Sequence, residues 1–250
     1  MRRRRVARRA AHASAARPWH NHTVRLVTFN VKHGDLGGVP RLTSVLRELR
    51  ADVIGLQEVD VGCGRSACAD QPAELGTALH MASCFAPALQ LDGGAYGNAL
   101  LARPELLDGA PMHATVVPLP GGRSIGEEPR VLLGARLARL RIFVAHFDLP
   151  APVRQAQADA LLAAVGDPRD AVVLGDFNEG PDGIAVQKLI AAGFRDAWSD
   201  VRSDEVVTAP WDRPQARIDL VLLGADLPRA RSADAVRTDA SDHALVVVDL

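Results

Sequence analysis

Between residues 82 and 147 the chain runs through ASCFAPAL, YGNALLAR, ATVVPL, RVLLGARL and RIFVAHF, five short apolar segments that read as successive strands. Elsewhere strands and helices mix. TVRLVTFNV alternates, with Val24, Leu26 and Thr28 on one side and Arg25, Val27 and Phe29 on the other. GVPRLTSVLRELR, residues 38–50, places Leu42, Val45, Leu46 and Leu49 on one helical stripe, and DVIGLQEV at 52–59 is again a strand. Helices are predicted near 72–80, over an Ala-rich stretch at 151–165, and in GIAVQKLIAAG, which Gly193 stops. In the 151–165 helix the inward face is predicted to be Val153, Ala156, Ala160, Leu161 and Ala164. AVVLGDF, ARIDLVLLG and HALVVVDL complete the strands. Several strands in direct succession favour a layered α/β sandwich over a strictly alternating βα barrel.

The 250 residues, 48% of them hydrophobic, suffice for one large domain or two small ones, and neither an internal repeat nor a low-complexity linker divides them. The net charge of -1 hides an asymmetry: residues 1–20 hold seven Arg and no acid, so the body without them carries -8 (-1 - 7). An acidic body is a poor electrostatic footprint for tight, sequence-independent DNA binding. Residues 1–22 are expected to be a disordered Arg-rich extension, an arm touching nucleic acid or anionic lipid being the alternative, and 23–250 a single domain. No apolar region follows the arginines as in a secretory signal, and no stretch approaches the ~20 apolar residues of a membrane span. The expectation is a cytoplasmic monomer. Cys63, Cys68 and Cys84 are read as free thiols, because an odd number does not suggest a disulfide framework and no second pair completes a zinc site.

Several of the apolar strands end in groups that can bind metal or move protons. TFN ends in Asn30, GLQEVD carries Glu58, FVAHFD carries His146, LGDFN carries Asp176 and Asn178, RIDL carries Asp219, and SDH supplies Asp242 and His243. In an extended chain residues i and i+2 share a face, so Asp176 and Asn178 are predicted to enter one cleft while Phe177 turns to the core. Mg²⁺ or Mn²⁺ prefers hard oxygen ligands. Glu58 is the first-choice ligand, with Asn30 and Asp242 beside it. His146, Asn178 and His243 can donate to phosphoryl oxygens, Asp176 can align and deprotonate a water, and Asp219 can fix the tautomer of His243. Each residue alone has a structural reading as well, a turn Asn, a solvated strand end or a core histidine. Their occurrence together, in one order, carries the argument.

The series TFNV, LQEVD, YGNALLAR, EPR, VAHFDL, GDFN, RIDLVL and SDHALVV resembles the endonuclease/exonuclease/phosphatase superfamily over residues 24–250. The resemblance implies a four-layer α/β/β/α sandwich of the DNase I-like kind, with two mainly antiparallel sheets flanked by helices. It implies Mg²⁺- or Mn²⁺-dependent hydrolysis of a phosphoester. Carried over by motif, Asn30 and Glu58 belong to the metal site, with Asp242 a further ligand. His146 contacts phosphate, Asp176 and Asn178 orient the nucleophile and hold phosphate, and Asp219 and His243 form an Asp–His pair. Either Asp176 or His243 is the base. Lys32 and His33 stand where some nuclease members carry a second acidic ligand, which argues against a strict two-metal site. Arg65 in GRSAC, Asn98 in YGNALLAR and Arg130 in EPR are the candidate substrate-binding groups. Arg154 and Gln157, at i and i+3, are read as a scaffold brace.

Machinery of this kind does not select a substrate. The chain has 10 aromatics and two Lys, Lys32 and Lys188, and no evident base-stacking or wedge loop. The expected substrate is therefore a phosphorylated small molecule or a lipid headgroup, as phosphodiester or phosphomonoester. A nuclease acting on DNA or RNA is the alternative, and an inactive metal-binding module the third reading.

Overall fold

A computed structural model describes the chain except residues 1–22, 123, 125–126, 138–139, 205 and 209–216. The Arg-rich extension expected at 1–22 lies outside the described residues. The elements run β1 (Arg25–Asn30), α1 (Gly38–Leu49), β2 (Val53–Val61), α2 (Gln71–Leu79), β3 (Ala82–Leu91), β4 (Gly94–Ala102), β5 (Ala114–Pro118), β6 (Val131–Leu137) and β7 (Leu140–His146). Then come α3 (Ala151–Val165), β8 (Ala171–Asp176), α4 (Ile184–Ala191), β9 (Phe194–Asp196), β10 (Asp219–Gly224), β11 (Ser232–Val236) and β12 (Leu245–Asp249).

The strands form two six-stranded sheets, in the orders β11-β12-β1-β2-β4-β3 and β5-β6-β7-β8-β10-β9. Each sheet has one parallel pair, β1 with β2 and β7 with β8, and its other pairs are antiparallel. Parallel neighbours need a crossover, and α1 and α3 supply it, one to each sheet. The layers follow from which faces are apolar. Leu26, Val53 and Leu100 of one sheet meet Leu133, Val144, Leu174 and Val221 of the other in the central core. Val27, Ile54 and Leu101, on the opposite face of the first sheet, pack with Leu42, Leu46, Leu75 and Leu79 of α1 and α2. Ala145, Val173 and Leu222 pack with Leu161, Val165, Val186 and Leu189 of α3 and α4. A strand buried on both faces reads as an apolar run, which is why VVL and LVLL carry little alternation.

The 151–165 helix has the predicted bounds but a different inner face. Gln157, Ala158, Leu161 and Val165 are buried, whereas Ala156 and Ala164 are exposed. An Ala-rich helix carries almost no amphipathic signal to set its phase, and the buried stripe includes a polar residue. Gln157 accepts from the Asp148 amide at 2.8 Å and donates to the Pro120 carbonyl at 2.8 Å. Arg154 pairs with Glu179 at 2.7 Å. Both therefore brace the scaffold as expected. Among the described residues no helix is long and apolar enough to cross a membrane.

Candidate active site

The carboxyl ends of β1, β2, β7 and β8 lie at one rim of the sandwich, where β10 also begins. The β1–β2 register places Asn30 beside Gln57, the β7–β8 register places His146 beside Asp176, and the antiparallel β8–β10 register places Asp176 opposite Asp219. The ladders thus gather His146, Asp176 and Asp219 in one sheet and Asn30 in the other, and the stacking of the two sheets brings Asn30 to Asp176.

Asp176, 1% exposed, sits at the centre. Its Oδ2 accepts from Asn30 Nδ2 at 3.1 Å and lies 3.6 Å from His146 Nε2 and 3.8 Å from His243 Nε2. Its Oδ1 accepts from the Asn178 amide at 2.9 Å. Asn178 is not in an extended continuation of β8. The strand stops at Asp176, and Asn178 adopts a left-handed conformation with φ 50°. The shared cleft predicted from alternation is reached by a turn instead, which Asn tolerates better than most residues. Phe177 does enter the core, edge-on to Phe147 at 5.1 Å.

Glu58 is held at a β-bulge. The β2–β4 register shifts between Leu56 and Val59, and Glu58 has φ 58°. A bulge redirects a side chain at a strand end, and a non-glycine residue is strained there. The Glu58 carboxylate accepts from Asn30 Nδ2 at 2.9 Å, so one amide links Glu58 to Asp176. Asn30 Oδ1 accepts from the Lys32 amide at 3.0 Å. Burial, and the nearby Asp176 charge, raise the Glu58 pKa, although the Asn30 hydrogen bond opposes the rise.

His243 Nδ1 lies 3.0 Å from Asp219 Oδ2. Burial alone would lower its pKa, but Asp219 and Asp176 outweigh it and raise the imidazolium to about 10. Burial and the Asp219 charge push Asp176 up to about 6. Burial, the Arg130 cation and His243 hold His146 well below the ordinary histidine range. Ser241 ties the SDH turn to β1 by donating to the Asn30 carbonyl at 2.7 Å and accepting from the His243 amide at 3.2 Å. Buried Thr208 accepts from the Ile218 and Asp219 amides at 3.0 and 3.1 Å. No sequence pattern distinguishes Thr208; only its fold neighbours do.

The structure brings together Asn30, Glu58, His146, Asp176, Asn178, Asp219 and His243. Asp242 lies at the mouth, with Lys32 Nζ 3.1 Å from its Oδ2. The three expected substrate-binding groups are committed to protein partners. Arg65 forms a two-pronged pair with buried Asp60 at 2.7 and 2.8 Å. Asn98 donates to the Val131 carbonyl at 2.8 Å, tying β4 of one sheet to β6 of the other. Arg130 Nη1 approaches His146 Nδ1 at 2.9 Å and Glu128 at 2.7 Å.

The donor set fits a hard divalent cation. Asp176, Asp219 and His243 present ligand atoms all within 4.8 Å of one another, with the Glu58 carboxylate joined to Asp176 through Asn30. Asp219 Oδ1 is buried with no hydrogen-bond partner, an oxygen whose desolvation a cation would offset. Clustered buried carboxylates, largely oxygen in character, suit Mg²⁺ or Mn²⁺ better than a soft metal.

A two-layered β core between helices, with carboxylates, amides and two histidines gathered at its rim, is an arrangement suited to phosphoester hydrolysis. A model of the Endonuclease/Exonuclease/phosphatase family matches residues 27–243, and the chain belongs to that family. Its members are hydrolases of phosphoester bonds, on phosphorylated substrates or nucleic acids, and generally use divalent metals. The DNase I-like fold recurs in solved structures. An endonuclease/exonuclease/phosphatase from Beutenbergia cavernae is 22% identical, with a TM-score of 0.68 over 91% of this chain and 71% of that one. The human Nocturnin catalytic domain with bound sulfate is 20% identical, with a TM-score of 0.68 over 91% and 92%. A mannosyl-6-phosphatase from Bacteroides thetaiotaomicron is 15% identical, with a TM-score of 0.65 over 91% and 99%. No curated protein sequence matches the chain.

Proposed function

We propose that the chain is a divalent-metal-dependent phosphoesterase that hydrolyses a small-molecule or lipid-headgroup phosphodiester or phosphomonoester by attack of an activated water. The observation that carries this reading is the surroundings of Asp176: a buried carboxylate within 4 Å of two histidines and hydrogen-bonded to two asparagines. Asp176 is the base. Its pKa near 6 leaves it ionised at neutral pH yet basic enough to take a proton from water. His243, held protonated by Asp219, is a donor toward a phosphoryl or leaving oxygen rather than the base. Glu58 with Asn30, and the unpartnered Oδ1 of Asp219, would hold the ion, which when bound would polarise the P–O bonds and offset charge on the leaving oxygen, leaving Asp176 free to act as the base. Asp242 is a mouth residue whose Oδ2 is paired with Lys32.

The acidic body supports the preference for a small substrate over a nucleic-acid polymer, as does the commitment of Arg65 and Arg130 to carboxylates within the protein. The test is a phosphoester panel with Mg²⁺ and Mn²⁺, including a chromogenic phosphodiester, sugar and lipid-headgroup phosphates, and plasmid DNA, with Asp176→Asn as the blank. Turnover of small esters is expected. Exclusive cleavage of DNA would replace the substrate assignment, and no turnover of any ester with either metal would remove the enzymatic one.

A further inference from the structure

The environment of His146 settles which of its nitrogens carries the proton. Nδ1 lies 2.9 Å from Arg130 Nη1, and Nε2 lies 3.3 Å from Asn178 Nδ2. These two nearest neighbours are donors, so a neutral ring can accept from one only, and the Asp176 carboxylate 3.6 Å from Nε2 also favours a proton on that nitrogen. A guanidinium keeps its protons and has no acceptor. Placing a hydrogen on Nδ1 would oppose two N–H groups at 2.9 Å, with Arg130 8% and His146 3% exposed. The contact at 3.3 Å is longer, and Asn178 Nδ2 already donates to the Phe147 carbonyl at 2.8 Å. The lone pair therefore faces Arg130, and the proton sits on Nε2.

We infer that Arg130 is a positioning residue, whose guanidinium fixes the His146 proton on Nε2 and aims that N–H into the site instead of contacting the phosphoester. Arg130 is itself pinned. Glu128 lies 2.7 Å from its Nη1, and Asn98 holds the carbonyl of the next residue, Val131, from the facing sheet. The consequence is a pair of donors, His146 Nε2–H and the second Asn178 Nδ2 hydrogen, whose nitrogens are 3.3 Å apart. Two converging donors repel each other and attract one anionic oxygen, the chemistry of a phosphoryl-oxygen subsite. The phosphoryl part of this inference rests on the proposed phosphoesterase reading; the tautomer does not.

The experiment is a long-range ¹⁵N–¹H correlation spectrum of the histidine rings in the full chain, with His146 identified by the signals lost in His146→Gln. The expected wild-type pattern is an acceptor-type Nδ1 and a protonated Nε2. Arg130→Met should replace it with a mixture of tautomers and lower kcat at least ~10-fold, up to the ~10²–10³-fold loss typical of deleting an oxyanion donor outright. KM should stay within about twofold, since an interaction made only in the transition state is lost. Arg130→Lys, still a donor without an acceptor, should recover part of both readouts. A protonated Nδ1 in the wild type overturns the inference, as does an Arg130→Met protein with an unchanged tautomer and a raised KM. Should Arg130→Met fail to fold, the wild-type spectrum still decides. A chain that turns over no phosphoester yet shows the Nε2–H pattern keeps the positioning role and loses the proposed function.

Discussion

Asp176 is buried beside Asp219 and is held at a pKa of about 6, above the ordinary carboxylate range, so ionising it in the folded metal-free protein is costly. The wild type should therefore lose stability as pH rises from about 4 through about 6, while Asp176→Asn should not. The variant is expected to fall ~10²–10⁴-fold in kcat, the range for a lost general base. In EDTA it should melt higher than the wild type at pH 8 and equally at pH 4; a lower melting point at pH 8 would contradict the burial argument. His243 has the opposite consequence. Its folded pKa of about 10 lies above the unfolded 6.5, so it contributes stability that is complete below pH 6.5 and fades as pH rises through 10. The gap in metal-free unfolding free energy between wild type and His243→Gln should be widest at pH 6 and shrink by pH 10, as read from denaturant titrations. Seven of the residues singled out in the sequence meet at this spot: Asn30, His146, Asp176 and Asp219 end or begin strands, Glu58 sits at a bulge within β2, and Asn178 and His243 lie in the turns beside β8 and β12. Arg65, Asn98 and Arg130 were less legible in their roles. A motif position shows that a donor lies near the site, but not that Asp60, the Val131 carbonyl or His146 has already taken it.

Strand tips deliver the catalytic groups, so the spacing between strands matters as much as the groups themselves. Gly175 precedes Asp176, and a Cβ there would lie 2.5 Å from the Ala145 carbonyl oxygen of the paired strand. Backbone cannot yield as a side-chain end can. Gly175→Ala should push β8 from β7 at the point where His146 and Asp176 face each other, costing about 1–3 kcal/mol in unfolding free energy. Its activity should fall further than that destabilisation accounts for, measured at a temperature where the variant is fully folded. Unchanged activity in a folded Gly175→Ala protein would mean that the β7–β8 spacing does not set the site. Apolar runs and their polar ends made most of this helix-and-strand scaffold legible in the sequence, but not the short strands β9 and β11. The sequence did not reveal the phase of α3, where alanines on every side leave only tertiary contacts to choose the inner face. Nor did it reveal the bulge at Glu58, since a left-handed glutamate is imposed by the β2–β4 register shift and not by any local preference.

The two sheets use the same plan, a parallel pair bridged by one helix and flanked by antiparallel strands, and they stack so that both parallel pairs end at the catalytic rim. Strands in direct succession made the sandwich legible, but the face-to-face order of the sheets followed only from the family resemblance, because pairing partners far apart in sequence leave no local trace. The three apolar clusters that join the layers draw on residues from Val24 to Leu250. The first strand is closed at its start by the last: Arg25 pairs with Asp249 at 2.7 Å, and the Leu250 amide donates to the Val24 carbonyl at 3.0 Å. β1 enters at the pole opposite the site, since it starts at Arg25 and reaches the rim only at Asn30. A chain of residues 23–250 therefore contains every described contact of the core and of the cluster around Asp176. It should melt within about 2 °C of the full chain, a shift of at most about 0.5–1 kcal/mol for a domain of this size, and retain kcat/KM on a small phosphoester. The deletion changes the net charge from -1 to -8. Retention of the full chain on an anionic matrix at low salt should accordingly be lost, and that difference should vanish as salt screens it. A truncated protein that melts many degrees lower would place part of the core's stability in the first 22 residues and overturn the boundary at residue 23.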